Sequence, residues 1–216
     1  MSFSRFAPLT GLAGIAGVIA GLALDNFPDG SYGDAAVAHW FDVHGTTRWI
    51  VSGSAICLGG TLLLVFAAIV ATRVDVSGAG PVTRRLTMVA ATAWAVFTMI
   101  GGALWLSVPL AVRMFNAKPS AALLDLAGPA YAVLVTICAF AAALLAISVT
   151  TASRQTGLLP RWLTRIGYPA AALMFTNVVL PMAVITLFFA AATIALSRQG
   201  APVAVPSYAE PDAVPA

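Results

Sequence analysis

Charge is scarce in this 216-residue chain: Lys, Arg, Asp and Glu make up 9% of it and hydrophobic residues 60%. A soluble domain carries about 25% charged residues. So few charges cannot clothe a globule of this size in a polar skin, and hydrocarbon is the medium that suits such a surface. The net charge of +3 is scattered along the chain. That excludes the basic stripe a nucleic-acid-binding face requires, so no nucleic-acid partner is expected. Lysine is almost missing: Lys118 stands beside ten arginines.

The scarcity has a pattern. Five stretches, 8–24, 49–72, 86–112, 128–150 and 169–196, contain no charged residue at all. A helix needs about 20 apolar residues to cross a bilayer, with about 17 as the lower limit. Asp25, Arg48, Arg73, Arg85 and Arg113 stand at or next to the edges of these stretches. A charge at mid-membrane costs at least about 2.5 kcal/mol, so this is where charges should collect. The expected fold is an all-α, polytopic transmembrane bundle of five helices with short interfacial helices. It would form one domain over 1–196, followed by a Pro-rich external tail over 197–216. A cleaved signal peptide is the competing reading of the first stretch, but its apolar run exceeds the usual length and favours an uncleaved anchor.

Arginine and lysine counts near the ends of the stretches orient the chain. One side receives Arg5, Arg73, Arg84, Arg85, Arg154, Arg161 and Arg165; the other receives Arg48, Arg113, Lys118 and Arg198. The expectation is a protein of the cytoplasmic (inner or plasma) membrane, with its N-terminus cytoplasmic and its C-terminus external.

Further absences narrow the chemistry. None of the five stretches contains His, Lys, Asp or Glu. Bis-histidine haem ligation, a retinal Schiff base and a carboxylate proton relay are therefore not expected inside the bundle. The chain holds no P-loop, G-x-S-x-G, H-E-x-x-H or C-x-x-C pattern. No cofactor is expected, and the reading leans away from an enzyme. The two cysteines, Cys57 and Cys138, fall at similar depth in stretches of the same direction. They would pair only if those helices are neighbours, and otherwise serve as small apolar side chains.

Some features remain that carry information. The first stretch presents Ala13, Gly17 and Gly21 on one small face, which suits close helix packing within this chain or against another subunit. In the third, Gly101 and Gly102 precede Pro109, which is expected to kink the helix. The fifth reads FTNVVLP: Pro181 removes the donor for the Asn177 carbonyl. Thr176, Asn177 and Pro181 thus form either a substrate path or a packing contact.

Segment 29–49, DGSYGDAAVAHWFDVHGTTRW, contains both histidines. Asp34 suits an N-cap and Gly45 a C′ residue, predicting a short helix between them. Val37, Trp40, Phe41 and His44 share one face, as expected for a helix lying in the headgroup layer, with Trp40 and Trp49 in an aromatic belt. A sharper alternative is a metal site at His39 and Asp42. His44 lies about 140° further round and would join only through a break at Gly45. A His39–Asp42 contact sensitive to pH is a third reading. In RMFNAKPSAALLDLAGP a second short interfacial helix is expected after Pro119. In RQTGLLPRWLTRIGYP, Arg161, Trp162 and Arg165 are expected to anchor the chain at the lipid interface.

A Gly-rich first span, an acidic segment ending in HGTTRWIVSG, and GLLPRWLTRIG before the last span resemble a group of uncharacterised multi-pass, roughly five-helix bacterial membrane proteins typical of high-GC genomes. The resemblance covers about residues 8–196 and implies architecture, with no catalytic residues to carry over. Three functions are open: a structural or accessory subunit of a membrane complex, a carrier or facilitator for a neutral or lipidic small molecule, and an external metal-dependent enzyme. Expected partners are membrane lipids and other membrane-protein subunits.

Overall fold

A computed structural model describes residues 8–24, 33–174 and 179–198, with no account of the side chains at 179–182. Every element among them is helical: α1 (Leu9–Leu24), α2 (Asp34–His44), α3 (Thr47–Val76), α4 (Pro81–Phe115), α5 (Ala121–Thr156), α6 (Arg161–Leu173) and α7 (Val179–Arg198). The chain is an all-α bundle. Three helices, α3, α4 and α5, are long and apolar enough to cross a membrane. At 1.5 Å per residue they extend about 45–54 Å, well beyond a hydrocarbon core of about 30 Å. The expected stretches 49–72, 86–112 and 128–150 lie inside them, and the extra turns carry Arg48, Arg73, Arg84, Arg85, Arg113 and Arg154.

Local chemistry sets the boundaries. Gly45 (φ 66°) ends α2 with its N–H bonded to the Phe41 carbonyl at 2.8 Å. Gly157 (φ 74°) ends α5, and Asn116 (φ 51°) closes α4. Glycine, and next to it asparagine, occupy this left-handed region at least cost. Pro81 opens α4 at a position whose N–H would lack a helical partner anyway. Ser120 caps α5, its hydroxyl accepting from the Leu123 N–H at 3.3 Å.

Two expected boundaries are corrected. The short helix after Pro119 is not separate: it forms the first turns of α5, which runs on through Pro129. The stretch 169–196 is not one helix either. Helix α6 starts at Arg161, within what reads as a loop, and ends at Leu173; α7 starts at Val179. Uncharged composition is continuous across this break, so a length count alone merges the two.

Helix α3 lies between α1 and α4 and meets both through glycine. A β-carbon on Gly59 would lie 2.7 Å from the Gly14 carbonyl oxygen, and one on Gly60 would lie 2.6 Å from Met99. In lipid, burying apolar area gains little, so backbone approach at small residues drives helix association. Polar groups reinforce the α1–α3 contact: the Ser52 hydroxyl donates to the Gly21 carbonyl at 2.8 Å, and Arg48 Nε to the Leu24 carbonyl at 3.0 Å. The face of α1 in contact holds Gly11, Gly14, Gly17 and Gly21. Ala13, expected on this face, is exposed. The three-residue spacing from Gly11 through Gly14 to Gly17 sets the stripe, and Ala13 falls beside it.

The bundle has two unlike ends. Towards the end marked by α6, α5 is buried almost continuously, with Leu145, Ala146 and Ala152 at 0% exposure. Here α6 lays Leu163 and Ala171 against the core, Gly167 rests on Thr150, and Tyr168 Oη pairs with Thr151 Oγ1 at 2.9 Å. At the other end, α2 closes over α3, α4 and α5. The bundle's outer surface stays apolar, with Leu58, Val89, Val133 and Leu187 among the exposed residues. A water-soluble monomer rarely presents so broad an apolar exterior.

Candidate functional site: an apolar cavity under an aromatic cap

A cavity of about 540 Å³ opens between α1, α3, α4, α5 and α7. From α4, Trp94, Phe97, Thr98 and Gly101 line it; from α5, Tyr131, Leu134, Val135 and Cys138. Ile15, Val18, Ile19 and Leu22 of α1 form the facing wall, and Ala183 and Thr186 of α7 close one side. Among the described residues, none that lines it is charged. Its size falls within the range of about 300–1,000 Å³ typical of small-molecule sites.

The polar groups of Thr98 and Cys138 are turned to each other and to the backbone. The Thr98 hydroxyl donates to the Trp94 carbonyl at 2.8 Å and lies 3.6 Å from Cys138 Sγ. Cys57 Sγ donates to the Met99 carbonyl at 3.6 Å. Both thiols therefore reach α4, and both are free. Such walls offer mainly dispersion contact.

Two adjacent glycines divide the labour on α4. A β-carbon on Gly102 would lie 2.8 Å from the Cys57 backbone nitrogen, so Gly102 lets α3 and α4 touch. One on Gly101 would meet only Tyr131, at 3.7 Å. Gly101 therefore leaves room in the cavity.

Above the cavity sits an aromatic cluster. Tyr131 packs on Trp105 (centroids 4.7 Å apart), Trp105 on Trp49 (5.2 Å), and Trp49 on Phe41 (5.5 Å). Val37 and Phe41 bury the inner face of α2 against this group. The apolar face of α2, expected in the headgroup layer, thus packs on protein. Trp49, expected as a belt residue, is 4% exposed and belongs to this core; Trp40 is half-buried at its edge. An amphipathic helix face suits lipid or a protein core equally well, and the aromatic side chains of α3 and α4 supply the core. Asp34 is also reassigned. It is the first residue of α2, and its Oδ1 accepts the Ala121 N–H at 2.8 Å, capping α5 across 87 positions of chain.

The metal-site candidates are not brought together. His39 and Asp42 are exposed on the outer face of α2. His44 stacks on Trp40 at 4.8 Å and its Nδ1 donates to the Trp40 carbonyl at 3.1 Å. Among the described residues no three of His, Cys, Asp and Glu form a metal-binding group. Thr176 and Asn177 lie outside the described residues. Pro181 is the third residue of α7, and the Asn177 carbonyl that it is expected to leave without a donor lies outside the described residues. Gly17 and Gly21 are used within the chain, against α3. Arg161, Trp162 and Arg165 stand exposed along α6, with Trp162 at 58%.

Thr98, Gly101 and Tyr131 were not distinguished by sequence. The doubled glycine at 101–102 was the one local signal, and it does not say which glycine leaves a void. No family model matches this chain, and neither does any curated protein or solved structure.

Proposed function

We propose that this chain is an integral protein of the cytoplasmic membrane that takes an uncharged, apolar molecule into the cavity between α1, α4, α5 and α7. The carrying observation is a sizeable void with apolar walls, in which the Thr98 hydroxyl is bonded to the Trp94 carbonyl and lies against the Cys138 thiol, in the long apolar helices of the bundle. Tyr131 to Cys138 sit roughly 15–26 Å along α5 from its start, at hydrocarbon depth. An accessory-subunit role is the weaker reading, because Gly17 and Gly21 pack on α3 of this chain.

The arginines favour a cytoplasmic α6 end: Arg73, Arg84, Arg85, Arg154, Arg161 and Arg165 collect there. The course of α7 bears on the C-terminus. Its early residues Ala183 and Thr186 line the cavity, Phe189 stacks on Trp94 at 4.8 Å, and Thr193 and Leu196 are fully buried. Cover of that kind exists alongside the buried half of α5, not beside α1 near Leu22, which is exposed. We therefore infer that α6 and α7 form a hairpin returning to the α6 end. Arg198 then joins the arginine-rich side, and an internal C-terminus replaces the external one.

Trp94 gives the test. Titrating the purified protein with an uncharged brominated hydrocarbon should quench a saturable fraction of the tryptophan fluorescence, absent from Trp94→Phe. Quenching that rises without saturation, alike in both proteins, would refute the reading.

A further inference from the structure

Which apolar molecule fits depends on where the cavity opens. Towards the α2 end it is roofed: Tyr131 lies on its wall and packs against Trp105, with Trp49, Phe41 and α2 stacked beyond. Ile56 belongs both to this cap and to the cavity wall. Towards the α6 end, Leu63 and Trp94 mark the floor, and the alanine-packed core continues below them. The side is different. Ile19 and Leu22 of α1 are 51% and 41% exposed, Ala183 of α7 is exposed, and Leu134 and Val135 of α5 are half-buried. Helix α1 packs mainly on α3 and α7, and α5 on α4, α6 and α7. The slit between α1 and α5 is the remaining wall.

A mouth at this depth faces hydrocarbon. At the capped end, a solute arriving from water would have to part the four stacked side chains Tyr131, Trp105, Trp49 and Phe41. A molecule already in the bilayer needs only to slide sideways past Ile19 and Leu22. Resting on the cavity reading above, we propose that the occupant is the tail of a membrane lipid, an acyl or isoprenoid chain. It enters laterally between α1 and α5 and leaves its polar headgroup in the leaflet nearer α2. The chemistry agrees at each point: dispersion contacts from Val18, Phe97 and Val135 for a chain, no cation among the described lining residues to hold a phosphate inside, and a side opening that a headgroup need not pass.

Photolabelling tests this on the full chain in vesicles. One arm uses a phosphatidylcholine with a diazirine near the end of its acyl tail; the other uses a small uncharged aryl diazirine. The lipid tail should label Leu58 and Leu187, which face outward, and also Trp94, Thr98 and Cys138, which are 8% exposed or less. Gly101→Leu, which fills the cavity with a better helix former, should lose the interior adducts and keep those at Leu58 and Leu187. Leu22→Trp, which narrows the mouth, should reduce interior labelling by the tail more than by the small probe. Interior labelling by the small probe alone would overturn the lipid-tail proposal and leave the cavity reading standing. Labelling of Leu58 and Leu187 with no interior adduct from either probe would overturn both. A prenyl-chain diazirine labelling the interior where the acyl one does not would assign the tail as isoprenoid.

Discussion

Residues 139–152 and 131–138 belong to the same helix and have opposite surroundings. The first segment, apart from the exposed Phe140 and Leu144, is largely buried against α4, α6 and α7, with alanine at 139, 141, 142, 143, 146 and 152. The second borders the cavity. Composition does not separate them, since both are apolar and uncharged. The difference lies in what stands opposite. The α6–α7 pair covers one half of α5 and stops short of the other. Covering makes the first half a scaffold, and its absence leaves the second half lining the cavity.

That contrast predicts an ordered series of effects on unfolding in mixed micelles. Leu145→Ala, at 0% exposure in the covered half, should cost most, about 2–5 kcal/mol. Gly102→Ala, which pushes α4 off the Cys57 backbone, should cost about 1–3 kcal/mol. Asp34→Ala should cost about 1 kcal/mol by uncapping α5, and amide hydrogen exchange should rise in the first turn of α5 and in α2, not elsewhere. Val135→Ala, on the cavity wall, should cost least, under about 1 kcal/mol, because it enlarges a space already present. A Val135→Ala penalty equal to that of Leu145→Ala would mean that the two halves are equally packed, and the contrast would be gone.

The helical fold was legible because one physical cost, charge in hydrocarbon, writes itself into composition; the edges at Arg48, Arg85 and Arg113 mark it directly. The parts that were not legible involve partners distant in sequence. Asp34 reads as a cap for its own helix and caps α5 instead, since the same carboxylate chemistry serves either N-terminus. Trp49 suits a lipid interface or an aromatic core, and only the presence of Phe41 and Trp105 decides. The break between Leu173 and Val179 leaves uncharged composition unaltered. A void has no residues of its own, so Gly101 could not be told from Gly102 until α3 and α5 were in place.

The central claim is that the uncovered half of the bundle holds an apolar guest. Native mass spectrometry of the protein released from mild detergent tests it most directly. The account predicts a species heavier than the bare chain by one lipid mass, and its disappearance in Gly101→Leu. A bare chain alone from wild type, or an adduct unchanged by filling the cavity, would contradict it.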